Sequence, residues 1–214
     1  MNSFQLYCFA ESGNAYKAAL MLTLSRASWE ARFVDFFNGG SRTPEFLALN
    51  PMGEVPVLVH NDTCLSQSGV ILTYLSKTLD KFTPENDDEE QQALRWLLFD
   101  NHKLTSYLAT LRFLRNFTKN ADPSVISFFE ARGKSALKTL DRHLKTQHEK
   151  GQRFVIADRP TFVDFSLCGY LYFPDEIGFS FSPYEHILGW LSDIQHLDGW
   201  KHPYDLMPSK PPSF

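Results

Sequence analysis

Three short segments combine small polar side chains with backbone positions suited to gripping a ligand. The most distinctive is Asn50-Pro51-Met52-Gly53-Glu54-Val55-Pro56-Val57-Leu58. Pro56 opens a β-branched stretch, where it lacks an N–H for a sheet ladder and holds Val55 extended. With a trans Val55–Pro56 bond, the commoner state, this is a plain edge-strand start. With a cis bond, the Val55 N–H and C=O turn out of the sheet and can pair with an extended peptide as another strand would. Ten residues beyond Pro56 comes Ser66-Gln67-Ser68-Gly69, directly ahead of a helical pattern. Ser68 has the type and place of a helix N-cap. The functional counterpart is a carboxylate resting on the free amides of that helix end, beside the Ser68 hydroxyl and the Gln67 amide. Ser12-Gly13-Asn14 opens the first helix, and either Ser12 or Asn14 can cap it.

Other chemistries are poorly supported. Seven histidines show no HExxH or similar ligand spacing, so no metal site is inferred. The three cysteines, Cys8, Cys64 and Cys168, are odd in number, far apart and without a CxxC pair. That argues against a disulfide framework and for a reducing compartment such as the cytoplasm. The formal net charge of −4 is spread evenly along the chain, which leaves no basic footprint for nucleic acid. Apolar runs such as residues 96–99 and 169–173 are too short to cross a membrane, and the first residues lack the cationic start of a secretory signal.

The elements that must hold these segments follow from periodicity. Phe4, Leu6 and Cys8 alternate as in a half-buried strand, and Ala15, Ala18, Ala19 and Leu22 fall on one helical face. Phe33, Val34 and Phe36 suggest a second strand, and Thr43-Pro44 the start of a short helix. Residues 57–59 and 63–66 flank the tight turn His60-Asn61-Asp62, and Val70, Ile71, Tyr74 and Leu75 mark the next helix. The order β-α-β-α-β-β-α defines an α/β unit over residues 1–80. Residues 81–88 read as an acidic linker with one proline. From 89 to 214 the period stays near that of a helix: a long helix over 89–117 marked by Leu94, Leu97, Leu98, Tyr107, Leu108 and Leu111, a second from Asp122-Pro123 to about Lys150, and shorter ones over 161–172 and 184–194.

Taken in order, these segments resemble the glutathione transferase superfamily, of the bacterial cytosolic type. Asn50, Pro51, Gly53, Val55, Pro56 and Leu58 match its loop pattern xNPxGxVPxL, and Gln67-Ser68 match the acidic-or-Gln residue plus Ser that follows. Thr161 and Asp164, after the apolar run 154–157, look like the capping box of its helical domain. Residues 199–208 are similar to the tails of bacterial members. The resemblance covers nearly the whole chain. It implies a thioredoxin-like N-terminal domain with a mixed sheet and a cis-proline loop, followed by an all-helical C-terminal domain.

The resemblance also implies a chemistry. Glutathione, as co-substrate, would pair its cysteinyl backbone with Val55 and set its γ-glutamyl carboxylate on Gln67 and Ser68. Arg42 would reach its glycine carboxylate, and its thiol would lie beside Ser12, with Asn14 assisting. Some members use a first-strand tyrosine instead, for which Tyr7 is placed; redox-active members have a cysteine where this chain has Ser12. Tyr107, Leu111 and Arg115 share a face of the long helix that walls the electrophile pocket in the family; core packing is the alternative for the first two and a solvated face for the arginine, as for Arg112. Asp100 would face a second subunit, since members usually dimerise. The activity implied is transfer of glutathione to a small apolar electrophile. Glutathione-dependent reduction of disulfides or peroxides, and a non-catalytic binding or scaffold role, are the competing readings.

Overall fold

The computed structural model describes residues 3–209. The chain divides into two compact units, one of Met1–Lys81 with Leu197–Phe214 and the other of Phe82–His196.

The first unit is built on a four-stranded sheet. In chain order it comprises β1 (Phe4–Cys8), α1 (Gly13–Leu24), β2 (Trp29–Phe33), α2 (Pro44–Leu49), β3 (Val57–His60), β4 (Thr63–Ser66) and α3 (Ser68–Leu79). The strand order is β2-β1-β3-β4. β1 runs parallel to β2 and antiparallel to β3, and β3 and β4 form the hairpin read from the turn at His60-Asn61-Asp62. This is the mixed sheet of a thioredoxin-like domain. The second strand lies earlier than residues 33–36, because β1 offers partners from Phe4, opposite Trp29, to Cys8, opposite Phe33. Beyond it, the Val34 amide makes one last bond to Cys8 O (3.0 Å) before the chain turns away.

Alternation on the strands divides the sheet's two faces. Phe4, Leu6 and Cys8 are buried on one, as their spacing predicts. Ala15, Ala18, Ala19 and Leu22 of α1 are fully buried with them, and Ile71, Leu72 and Leu75 of α3 complete this core. Tyr16, Lys17, Leu20 and Met21 are buried too, so α1 is enclosed on more than the one face that its period indicated. Part of that enclosure comes from the returning tail. Tyr16 Oη donates to Lys201 O (2.8 Å), and the Ala10 amide donates to Pro208 O (2.9 Å). Residues 197–209, expected in the helical domain, group with the first unit for this reason. On the opposite face of the sheet, Val34, Phe46 and Val57 form a small cluster with Tyr7, Leu49 and Val55.

The second unit is predominantly helical. It contains α4 (Asp87–Phe99), α5 (Thr105–Asn116), α6 (Pro123–Glu149), α7 (Phe162–Cys168), α8 (Pro174–Ile177) and α9 (Glu185–Gln195); the tail adds α10 (Pro203–Leu206) to the first unit. The pattern over 89–117 is two helices joined by a π-helical turn, Asp100–Leu104. Its apolar markers do not all face inward. Ala93 and Trp96 are buried, whereas Leu94 and Leu98 are 59% and 61% exposed. Asp100 is buried inside the unit and accepts from Thr105 Oγ1 (2.7 Å) and Ser166 Oγ (2.6 Å), which corrects the expectation that it faces a second subunit.

The capping box at Thr161 and Asp164 is present and reaches further than one helix end. Asp164 accepts from Thr161 N (2.8 Å), Val155 N (3.0 Å) and Trp190 Nε1 (2.9 Å), tying α7 to the 154–157 segment and to α9. Burial pushes its carboxyl up from the ordinary aspartate range, against the pull of these donors. Asp164→Ala removes the acceptor of four buried donors, Thr161 Oγ1 (3.0 Å) being the fourth, and each donor left unpaired costs about 1–3 kcal/mol. A loss of about 3 kcal/mol or more is expected in urea unfolding, with a smaller loss for Asp164→Asn. A loss below about 1 kcal/mol for Asp164→Ala would contradict this role.

Candidate active site

The sheet delivers three loops to the N-terminal ends of α1 and α3. The first leaves β1 at Cys8 and turns at once, with the Ser12 amide donating to Phe9 O (3.0 Å). Ser12, not Asn14, is the α1 cap: its Oγ accepts from Ala15 N at 3.1 Å. The cap uses a lone pair of the hydroxyl and leaves its proton to donate. Ser12 is buried, so a donor there acts in a medium of low dielectric.

The second loop is the segment 50–56, and the Val55–Pro56 bond is cis. Asn50 organises it from within. Its Nδ2 donates to Glu54 O (2.8 Å) and its Oδ1 accepts from Met52 N (3.1 Å). Gly53 sits at φ 64°, a backbone angle that favours glycine, and a Cβ there would come within 2.5 Å of the Arg42 Nη1 tip and 3.0 Å of Ser41 O. Arg42 lies over this loop and donates to Met52 O (3.2 Å). Val55 lies two residues before β3, outside the paired register, and is half-buried.

At the third position Ser68 is the first residue of α3 and Gln67 the cap position, with left-handed φ (69°) and no side-chain cap bond. Ser68 is therefore not the N-cap that its type suggested. Its hydroxyl donates instead to Asn14 Oδ1 (3.4 Å), which joins the start of α3 to the start of α1. Gln67 Nε2 donates to Met52 Sδ (3.1 Å) and Glu54 Oε2 (3.3 Å), so loops two and three are linked as well. Ser12, Asn14, Arg42, Val55, Pro56, Gln67 and Ser68 thus belong to one connected cluster in the first unit. Two helix ends with unpaired amides and positive dipoles meet there, an arrangement that favours anionic groups.

Residues 2–77 match the family model described as Glutathione S-transferase, N-terminal domain. A solved structure titled as a possible glutathione S-transferase from Rhodopseudomonas palustris superposes with a TM-score of 0.87. It is 30% identical and covers 98% of this chain and 93% of its own. The chain belongs to the glutathione transferase superfamily. Glutathione S-transferase 1 of Dianthus caryophyllus is 34% identical over 149 residues, covering 66% of this chain and 65% of its own length. Protein URE2 of Candida albicans is 30% identical over 135 residues, 58% of this chain and 38% of its own. The chain thus spans less than two thirds of these curated relatives.

Among the residues that the superfamily resemblance nominated, several have other work. Tyr7 packs against Phe46 with ring centroids 6.2 Å apart, in the cluster on the α2 side of the sheet. Cys8 is buried on the opposite face, and burial pushes its thiol up to about 12, so it supplies no thiolate. In the second unit Leu111 is fully buried and lines no accessible wall. Arg115 pairs with Glu130 (2.5 Å) and donates to Ile177 O, which fastens α5 to α6 and to the end of α8. Arg112 is also interior, paired with Glu176 (2.7 Å) and 3.8 Å over the Phe173 ring. Tyr107, half-buried as Arg115 is, lies near Lys103 Nζ (3.5 Å) and the Phe129 ring.

Two features at the site carried no readable signal. Phe9 stacks on Phe36 (5.0 Å) and meets Phe37 edge-on (5.6 Å), which puts an aromatic cluster at the turn that holds Ser12. Glu54 is the acid that engages the Gln67 amide. The nineteen phenylalanines of the sequence read as core, and only the fold brings residues 9, 36 and 37 together. Among the described residues, no group of three or more His, Cys, Asp or Glu side chains could hold a metal.

Proposed function

We propose that the protein is a glutathione transferase that uses Ser12 to activate the glutathione thiol for attack on a small apolar electrophile. The observation that carries this reading is the Ser12 hydroxyl, which caps α1 with a lone pair and keeps its proton for a ligand. In this reading Val55 pairs with the cysteinyl backbone, and Gln67 and Ser68 hold the γ-glutamyl carboxylate at the start of α3. Arg42 takes the glycine carboxylate, and Asn14 assists by orienting Ser68. The Phe9, Phe36 and Phe37 cluster supplies an apolar flank, with Phe37 about half exposed, and Tyr107 is the helical-unit candidate for the electrophile.

The energetics suffice without a general base. A free thiol near pKa 8.5 needs about 2.7 kcal/mol of differential stabilisation to fall by two units. A helix N-terminus contributes about 0.3–1 kcal/mol, up to about 2 when partly buried. A hydrogen bond to the thiolate adds about 1.5–3 kcal/mol. Because Cys8 is inert, disulfide or peroxide reduction at this site would run through two glutathiones and release the oxidised dimer rather than a thioether.

The reading extends to assembly and location. Leu94 and Leu98, one turn apart on α4, form an exposed apolar stripe that supports a homodimer. The three cysteines are thiols rather than disulfides, which supports a cytoplasmic protein, and among the described residues no helix is long and apolar enough to cross a membrane.

Two measurements test these proposals. Ser12→Ala should lower conjugating turnover about 10–100-fold, the equivalent of about 1.4–2.8 kcal/mol, with glutathione affinity within about twofold of the parent. Turnover equal to the parent would remove Ser12 from the chemistry. Leu94→Glu with Leu98→Glu should convert a dimer to a folded monomer in sedimentation; an unchanged mass would place any interface elsewhere.

A further inference from the structure

Met52 stands in the second loop of the candidate site, with its backbone pinned and its side chain open. Its amide donates to Asn50 Oδ1 (3.1 Å), and its carbonyl accepts from Arg42 Nη1 (3.2 Å). The side chain is 53% exposed, whereas Met21 and Met207, the other methionines among the described residues, are 0% and 4% exposed. The Met52 sulfur accepts from Gln67 Nε2 (3.1 Å), and the second bond of that amide goes to Glu54 Oε2 (3.3 Å). The Gln67 side chain makes no bond to the end of α3, so these two contacts aim its amide.

A thioether is a weak acceptor, and an N–H resting on one passes to a stronger acceptor at little cost. The proton facing Met52 is therefore the one that Gln67 has to offer to a ligand carboxylate. An exposed, unbranched thioether is also a side chain that hydroperoxides convert to a sulfoxide. A sulfur lone pair attacks one peroxide oxygen, the S–O bond forms and the O–O bond breaks. The proton of the attacked oxygen passes to the departing one, which leaves as water or an alcohol. Sulfur gives up an electron pair and the peroxide takes it. The polar S–O oxygen is a far stronger acceptor than the sulfur, and it holds an amide proton that the thioether would release.

We propose that Met52 is an oxidative modification site at which hydroperoxides form the sulfoxide, turn the Gln67 amide away from glutathione and so weaken its binding. Burial shields Met21 and Met207, so the exposed methionine is the one that touches Gln67. The change is reversible, because methionine sulfoxide reductases restore the thioether. The effect on binding rests on Gln67 holding glutathione as proposed for this site; the oxidation of Met52 does not.

The test treats the whole protein with dilute hydrogen peroxide, quenches with catalase and adds dithiothreitol, which returns reversibly oxidised thiols but not the sulfoxide. Peptide mass mapping should find one added oxygen on Met52, with Met21 and Met207 unmodified. Calorimetric titration should show glutathione affinity lowered about three- to tenfold, and restored by methionine sulfoxide reductases. Met52→Leu should keep its own untreated affinity through the same treatment. Complete oxidation of Met52 with affinity unchanged would overturn the proposal, as would oxidation of Met21 or Met207 ahead of Met52, or an equal loss in Met52→Leu. Gln67→Ala tells the failures apart. If it weakens glutathione binding where oxidation does not, the sulfoxide effect alone fails; if it binds glutathione as the parent does, the role of Gln67 fails and the proposal with it. Circular dichroism confirms that each protein compared is folded.

Discussion

One hydroxyl organises the site. Ser12 must accept a hydrogen bond to start α1 and still have a proton to give, and a serine hydroxyl is able to do both because it is donor and acceptor at once. Alanine would lose both functions. Cysteine would put a reactive sulfur there and change the chemistry. The geometry depends on the turn closed by the Ser12 amide on Phe9 O, which brings the chain from β1 into α1 within four residues. Burial of the α1 alanines then sets how closely that helix lies on the sheet.

From that point the remaining contacts follow as a connected set. Asn14, the second residue of α1, meets Ser68 at the start of α3, so two helix ends point their amides into the same region. Gln67 reaches back to Met52 and Glu54, and Asn50 holds the loop that carries both. Arg42 lies over that loop in the space beside Gly53. The proposed reading assigns the groups of a ligand with two carboxylates, an extended backbone and a thiol to this cluster: anions to the helix ends and Arg42, backbone to Val55, sulfur to Ser12. The second unit is stabilised by different means, with Asp164 and Asp100 each joining separate elements through buried hydrogen bonds.

The sequence was most legible where backbone geometry requires a residue type. The Asn50–Leu58 segment, the hairpin turn and the Thr161–Asp164 box each leave a short local signature, and each is present where it was read. It was less legible where the answer depended on partners distant in the chain. Periodicity on α4 and α5 marks apolar positions but does not say which face a neighbour covers, so Leu94 and Leu98 read like core and are exposed. Arg115 read as a pocket or surface residue because its partners, Glu130 and Ile177, come from other helices. Ser68 looked like a cap because Ser before a helical run usually is one; the positive φ at Gln67 shifts the helix start and frees its hydroxyl for Asn14. The second strand was placed late because Phe33, Val34 and Phe36 form a denser apolar run than residues 29–32 of β2, which pair through their backbone.

The central claim is that the end of α1 and the Ser12 proton stabilise a bound thiolate. The most direct measurement is the ultraviolet absorbance of the thiolate in the protein–glutathione complex as a function of pH. A midpoint about two units below the free thiol's 8.5, returning toward it in Ser12→Ala, is the predicted result. A midpoint at the free value in the parent complex would contradict it and leave Ser12 as a helix cap alone.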